Sequence, residues 1–196
     1  MNLPNKISLL RICLIPVFVL FFFLNAIPYN QVIAAIIFAV AACTDYLDGY
    51  IARSKKLVTN LGKFLDPIAD KCLVATAFIL MLTIPEMFTA YGHWGYVTAA
   101  ICICIILARE LIISAFRQIA AANGIVLAAE MIGKYKTLFQ DICVFALILS
   151  VDFLGSTFGK VVNIIGLVTF AIATVLTIWS GFSYVLKNRI VLKEQK

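Results

Sequence analysis

Charge is scarce in this sequence, histidine is almost missing, and no stretch is polar enough to stand as a soluble domain. Only 13% of the 196 residues are charged and 63% are apolar, with a mean hydropathy of +1.04. Soluble domains carry about 25% charge and about 45–50% apolar residues, so the excess exceeds what a globular core needs. The one histidine, His93, has no histidine or cysteine close by, which excludes a His/Cys metal centre and leaves a solvated or interfacial ring. Cys13, Cys43, Cys72, Cys102, Cys104 and Cys143 all lie in apolar runs and read as reduced small hydrophobes, not a disulfide framework. No extended basic patch interleaved with aromatics argues for nucleic acid, and the net charge of +6 suits an anionic lipid surface.

What the chain has is long apolar runs separated by short polar breaks. Residues 2–11 form an amphipathic lead with Pro4 in its first turn and Lys6 and Arg11 beside apolar positions, expected as a short interfacial helix. The run 12–24 is expected as a first transmembrane helix rather than a signal peptide, because no small-residue cleavage site follows it. Further helices are expected at about 31–53, 62–84, 96–121, 134–153 and 161–186, each about 20 residues or longer. The expected fold is all-α: one integral membrane bundle of six transmembrane helices, residues 1–196 forming a single domain in the lipid bilayer. Thirteen lysines and arginines fall on the side holding both termini and the 53–61 connection, and only Lys160 on the other. The positive-inside rule then places the termini and that connection on the cytoplasmic side of the cell membrane.

Four of the ten carboxylates crowd into one window. Asp45 and Asp48 are three apart and Asp66 and Asp70 four apart, so each pair shares one helix face. The short connection between their helices brings both pairs to one depth. Four converging carboxylates next to apolar runs would repel unless something positive held them. Oxygen-only ligands suit a hard divalent ion, Mg²⁺ or Mn²⁺, and a carboxylate-held ion with open positions can grip a diphosphate.

The pattern Asp-x2-Asp-Gly-x2-Ala-Arg-x8-Gly-x3-Asp-x3-Asp is filled by Asp45, Asp48, Gly49, Ala52, Arg53, Gly62, Asp66 and Asp70. It resembles the signature of the CDP-alcohol phosphotransferases. That resemblance implies transfer of a phosphoalcohol group from a CDP-linked donor to a hydroxyl, with release of CMP. It assigns metal binding to the four aspartates and the role of general base to Asp70. Gly49, Ala52, Arg53 and Gly62 would serve the CDP donor, the small residues admitting the nucleotide and Arg53 its phosphate. A homodimer is also implied by the family.

A second polar group, Arg109, Arg117, Lys134 and Lys136, lies toward the same ends of the fourth and fifth helices. Arg109, about 12 Å deeper than Arg117, needs a partner or a wet cavity; Glu110 and Glu130 are candidates. Lys134 and Lys136 suit either phosphate capture at a helix start or plain topological anchoring. The opening 2–11, the 108–111 step and the Gly133-Lys134-Tyr135-Lys136-Thr137 run resemble the bacterial family members that use a glycerol phosphate acceptor. By that likeness the donor is CDP-diacylglycerol and the acceptor sn-glycerol 3-phosphate, held by Arg109, Arg117 and Lys134. The competing expectations are another acceptor (inositol phosphate, serine or a second lipid) and, outside enzymes, a membrane cation carrier. Asp141 could face a cavity or pair with a basic neighbour.

Overall fold

The computed structural model describes residues 3–54, 60–88, 92–122 and 131–188, with side chains described at 5–44, 68–88, 92–120 and 131–188. Among the described residues six α-helices follow one another: α1 (Leu3–Phe23), α2 (Asn30–Ser54), α3 (Asn60–Met81), α4 (His93–Ala122), α5 (Met131–Val151) and α6 (Thr157–Lys187). A single 3₁₀ turn, Pro85–Met87, precedes α4, and no strand occurs among the described residues.

The expected break between a surface lead and a first span is not there. α1 is continuous from Leu3, and the interfacial helix is corrected to the first turns of that one helix. The polar residues Asn5, Ser8 and Arg11 recur every three positions and form one buried face, so they turn inward instead of lying along a membrane surface. Arg11 is wholly buried and its Nε donates to Ala41 O at 3.1 Å and Thr44 Oγ1 at 3.3 Å on α2. α3 begins at Asn60, two residues earlier than its apolar pattern suggested.

α5 and α6 form the most extensive pairing, α1 packs on α2 and α3, α5 also meets α2 and α3, and α4 leans mainly on α6. Close approach of α5 and α6 needs a residue without a side chain: a Cβ on Gly166 would sit 2.7 Å from Leu147 Cγ. Phe18, Phe22, Phe38, Phe78, Met81, Phe88 and Leu147 fill the interior. The outside is as apolar as the inside, with Leu20, Val40, Ile79, Leu111, Val175, Trp179 and Phe182 more than half exposed. Apolar surface on that scale requires lipid, not water.

Three stretches, Asn5–Phe23, His93–Ala120 and Thr157–Lys187, are long and apolar enough to cross a membrane, while α2 offers the shorter apolar stretch Asn30–Thr44. α4 and α6, of 30 and 31 residues, reach about 45 Å at 1.5 Å per residue, longer than a hydrocarbon core of about 30 Å.

At the end of the bundle where α1, α3 and α5 finish, side-chain donors are matched by the chain itself, while the acceptor Gln31 Oε1 is buried without a partner among the described residues. Asn163 Nδ2 donates to Met87 O (3.0 Å) and to Ser150 Oγ (3.2 Å). Asn30 and Gln31 donate to Phe22 O. Asp152 Oδ2 accepts the Val32 N–H at 2.9 Å, capping the start of α2 from the turn that follows α5. Trp94 and His93 are exposed beyond this end, as an interfacial pair should be, and Tyr96 OH donates to Leu82 O. Tyr91, which with Trp94 and Tyr96 reads as an interfacial belt in the sequence, lies outside the described residues.

Candidate active site

The opposite end gathers the residues that carry the sequence pattern. The α2 backbone is helical through Asp45 and Asp48, and that of α3 through Asp66 and Asp70, so the three- and four-residue spacings act on real helices. The side chains of Asp45, Asp48, Gly49, Ala52, Arg53, Gly62 and Asp66 lie outside the described residues. Asp70, half-buried, is described: with Lys71 it lines a cavity of about 290 Å³ between α3, α4 and α5. Among the described residues no three His, Cys, Asp or Glu side chains come close enough to hold a metal. The donor set itself, four carboxylates on two adjacent helices, fits a hard divalent cation.

Across the cavity stands a network centred on Glu110. Its Oε1 receives Lys136 Nζ from α5 and, at 3.2 Å, Arg109 Nη1 from its own helix, while its backbone carbonyl receives Lys71 Nζ at 3.2 Å. Lys136 is almost fully buried. An amphiphilic bundle tolerates such a cation only beside an anion, and Glu110 is that anion. Arg109 Nη2 also donates to Ser180 Oγ on α6 at 2.9 Å, and Gly181 leaves the room for its stem, since a Cβ there would lie 3.1 Å from Arg109 Cγ. Arg109 thus has Glu110 as its partner; Glu130 lies outside the described residues.

Arg117, two turns further along α4, is exposed. Its Nε donates to Tyr184 OH at 3.2 Å and its guanidinium carbon sits 5.2 Å from the centre of that ring. Lys134 is exposed, and being two residues from Lys136 it points to nearly the opposite side of α5. Of the three residues expected on an acceptor phosphate, Arg109 is therefore tied into the Glu110 network, Arg117 is held on Tyr184, and Lys134 faces outward. Asp141 lies on the cavity wall beside Gln140. All six cysteines are free thiols.

Sequence reasoning passed over Lys71, Glu110 and Gln140 as site residues. The signal was the i, i+4 pairing of Lys136 with Gln140 and the acid beside Arg109, but a polar residue within an apolar helix does not say which neighbour it meets.

The pattern of CDP-alcohol phosphatidyltransferases matches residues 1–179. The chain belongs to that family, which makes it a phosphatidyltransferase rather than a cation carrier. Similar curated proteins are the CDP-diacylglycerol–glycerol-3-phosphate 3-phosphatidyltransferases of Bacillus subtilis, 37% identical over 98% of this chain and 97% of the relative, and of Pectobacterium atrosepticum, 39% identical over 98% of each. The protein of the same name from Escherichia coli K12 is 38% identical over 99% of this chain and 98% of its own length.

Proposed function

We propose that this chain transfers the phosphatidyl group of CDP-diacylglycerol to the hydroxyl of sn-glycerol 3-phosphate, giving phosphatidylglycerophosphate and CMP. What carries the reading is Asp70: a motif carboxylate on the wall of a cavity that Lys71 and Glu110 also line, with Lys136 and Arg109 paired to Glu110 behind it, in a chain that resembles enzymes of that name along nearly its full length. The acceptor oxygen attacks the phosphatidyl phosphorus, the bond from that phosphorus to the CMP oxygen breaks, and CMP leaves with the electron pair. Asp70 accepts the hydroxyl proton. A divalent ion held by Asp45, Asp48, Asp66 and Asp70 would offset the charge that grows on the diphosphate.

Arg53 with Gly49, Ala52 and Gly62 binds the CDP moiety, and Arg117 receives the acceptor phosphate, with Arg109 holding Glu110 behind it; Lys134, on the outward side of α5, takes no part. The use of Arg117 Nε alone on Tyr184 orients the rest of its guanidinium. All six helices cross the bilayer in this reading. The acids and both termini sit on the cytoplasmic side, where the water-soluble acceptor is found, and the enzyme works as a homodimer.

Purified protein in nanodiscs, given CDP-diacylglycerol and a panel of glycerol 3-phosphate, inositol phosphate and serine, tests the reading through CMP release. Glycerol 3-phosphate alone should support it, EDTA should abolish it, and excess Mg²⁺ or Mn²⁺ should restore it. Release that persists in EDTA, or that follows another acceptor, overturns the corresponding part.

A further inference from the structure

The cavity changes character with depth. α3 and α5 both enter from the acidic end, so Val74 and Ala75 on α3 lie about one turn deeper than Asp70 and Lys71, and Gln140 about one turn deeper than Lys136. At that level the walls become apolar, continuing to Ile79 about 13 Å below Asp70. Gln140 is 2% exposed, and its amide nitrogen has no hydrogen-bond partner among the described residues. A buried, unmatched amide N–H is costly, so its acceptor is expected to come from outside the chain.

We infer that Gln140 is a specificity-determining residue whose amide donates to an acyl-ester carbonyl of the lipid donor. This rests on the transferase reading above and adds to it a choice among donors. A diacyl donor presents its chemistry in a fixed order along the cavity: phosphate, ester carbonyls, then hydrocarbon. The phosphate belongs at the level of Asp70 and the cations, and the hydrocarbon against Val74, Ala75 and Ile79. The acceptor group between them is the ester carbonyl, at the level of Gln140. Asp141, on the same wall, is itself an acceptor when ionised and cannot serve a carbonyl. A donor with ether-linked chains has the same shape and lacks this acceptor, so it leaves the amide unmatched.

The test compares CDP-diacylglycerol with its dialkyl ether analogue of equal chain length, both in nanodiscs with glycerol 3-phosphate, for the wild type and Gln140→Met. The wild type should favour the ester by about tenfold in kcat/KM, the size expected for one buried hydrogen bond. In Gln140→Met that ratio should fall toward one, with the protein still monodisperse in detergent. The ratio is unaffected by how much of a variant folds, and the wild-type value needs no variant at all. Equal use of the two donors by the wild type, or an unchanged ratio in Gln140→Met, overturns the inference while leaving the transferase intact. Absence of CMP release from the ester donor in the wild type would instead overturn the transferase reading, and the inference with it.

Discussion

The two ends of the bundle treat buried polarity differently. At the Asn163 end, donors meet carbonyls and hydroxyls of the same chain: Met87 O, Ser150 Oγ, Phe22 O. At the Asp70 end, three cations converge on the one residue Glu110, and two buried donor nitrogens, Arg109 Nε and Gln140 Nε2, meet no partner among the described residues. An end whose donors are matched within the chain, with only the acceptor Gln31 Oε1 buried without a partner among the described residues, is built for stability. An end that holds unmatched donors over a cavity is built to receive something.

Substitutions at the two ends should separate these roles. The largest effect is expected from Glu110→Leu, which leaves Lys136 buried without its anion and should cost about 3 kcal/mol of stability. Adding Lys136→Met should recover part of that loss in a thermal-denaturation cycle; strictly additive losses would show that the two side chains do not depend on one another. Next comes Asp70→Asn, which keeps the shape but cannot accept a proton in the same way. Turnover should drop by about 10²-fold or more with donor KM nearly unchanged, and wild-type turnover would remove Asp70 from the base role.

Arg117→Ala follows. It should raise the acceptor KM by about 10- to 100-fold, the loss of a charge-assisted bond, and spare the donor KM. Lys134→Ala, on the outward side of α5, should move neither constant in two-substrate kinetics, and if Arg117 is only a topological anchor its variant will behave the same way. The smallest effect belongs to the other end: Asn163→Leu should lower stability by about 1 kcal/mol and change neither KM. A selective loss of activity there would erase the distinction between the two ends.

Much of this was legible in the chain. Asp45, Asp48, Asp66 and Asp70 stand at helical spacings and fall on observed helices, because apolar runs interrupted only by short breaks allow no other element in lipid. The six helices could be counted for the same reason. The lead was misjudged because amphipathicity shows that one face is polar and not what that face meets; Asn5, Ser8 and Arg11 meet the bundle. The acceptor site was harder still. Lys134 and Lys136 look alike in sequence, and only the turn of α5 sends one outward and the other to Glu110. Gln140 stands four residues after Lys136 in sequence, but its meaning comes from the missing partner, which spacing does not show.

The cap that Asp152 places on the start of α2 joins residues 120 positions apart. A ribosome adding about 5–20 residues per second needs roughly 6–24 s to cover that interval. Throughout that time the Val32 amide and its neighbours must find other acceptors, in interfacial water or in the insertion machinery. The first helices can therefore enter the membrane early, but the α2 end is closed only once the turn after α5 has been made, so the order of synthesis delays that closure until five of the six helices exist.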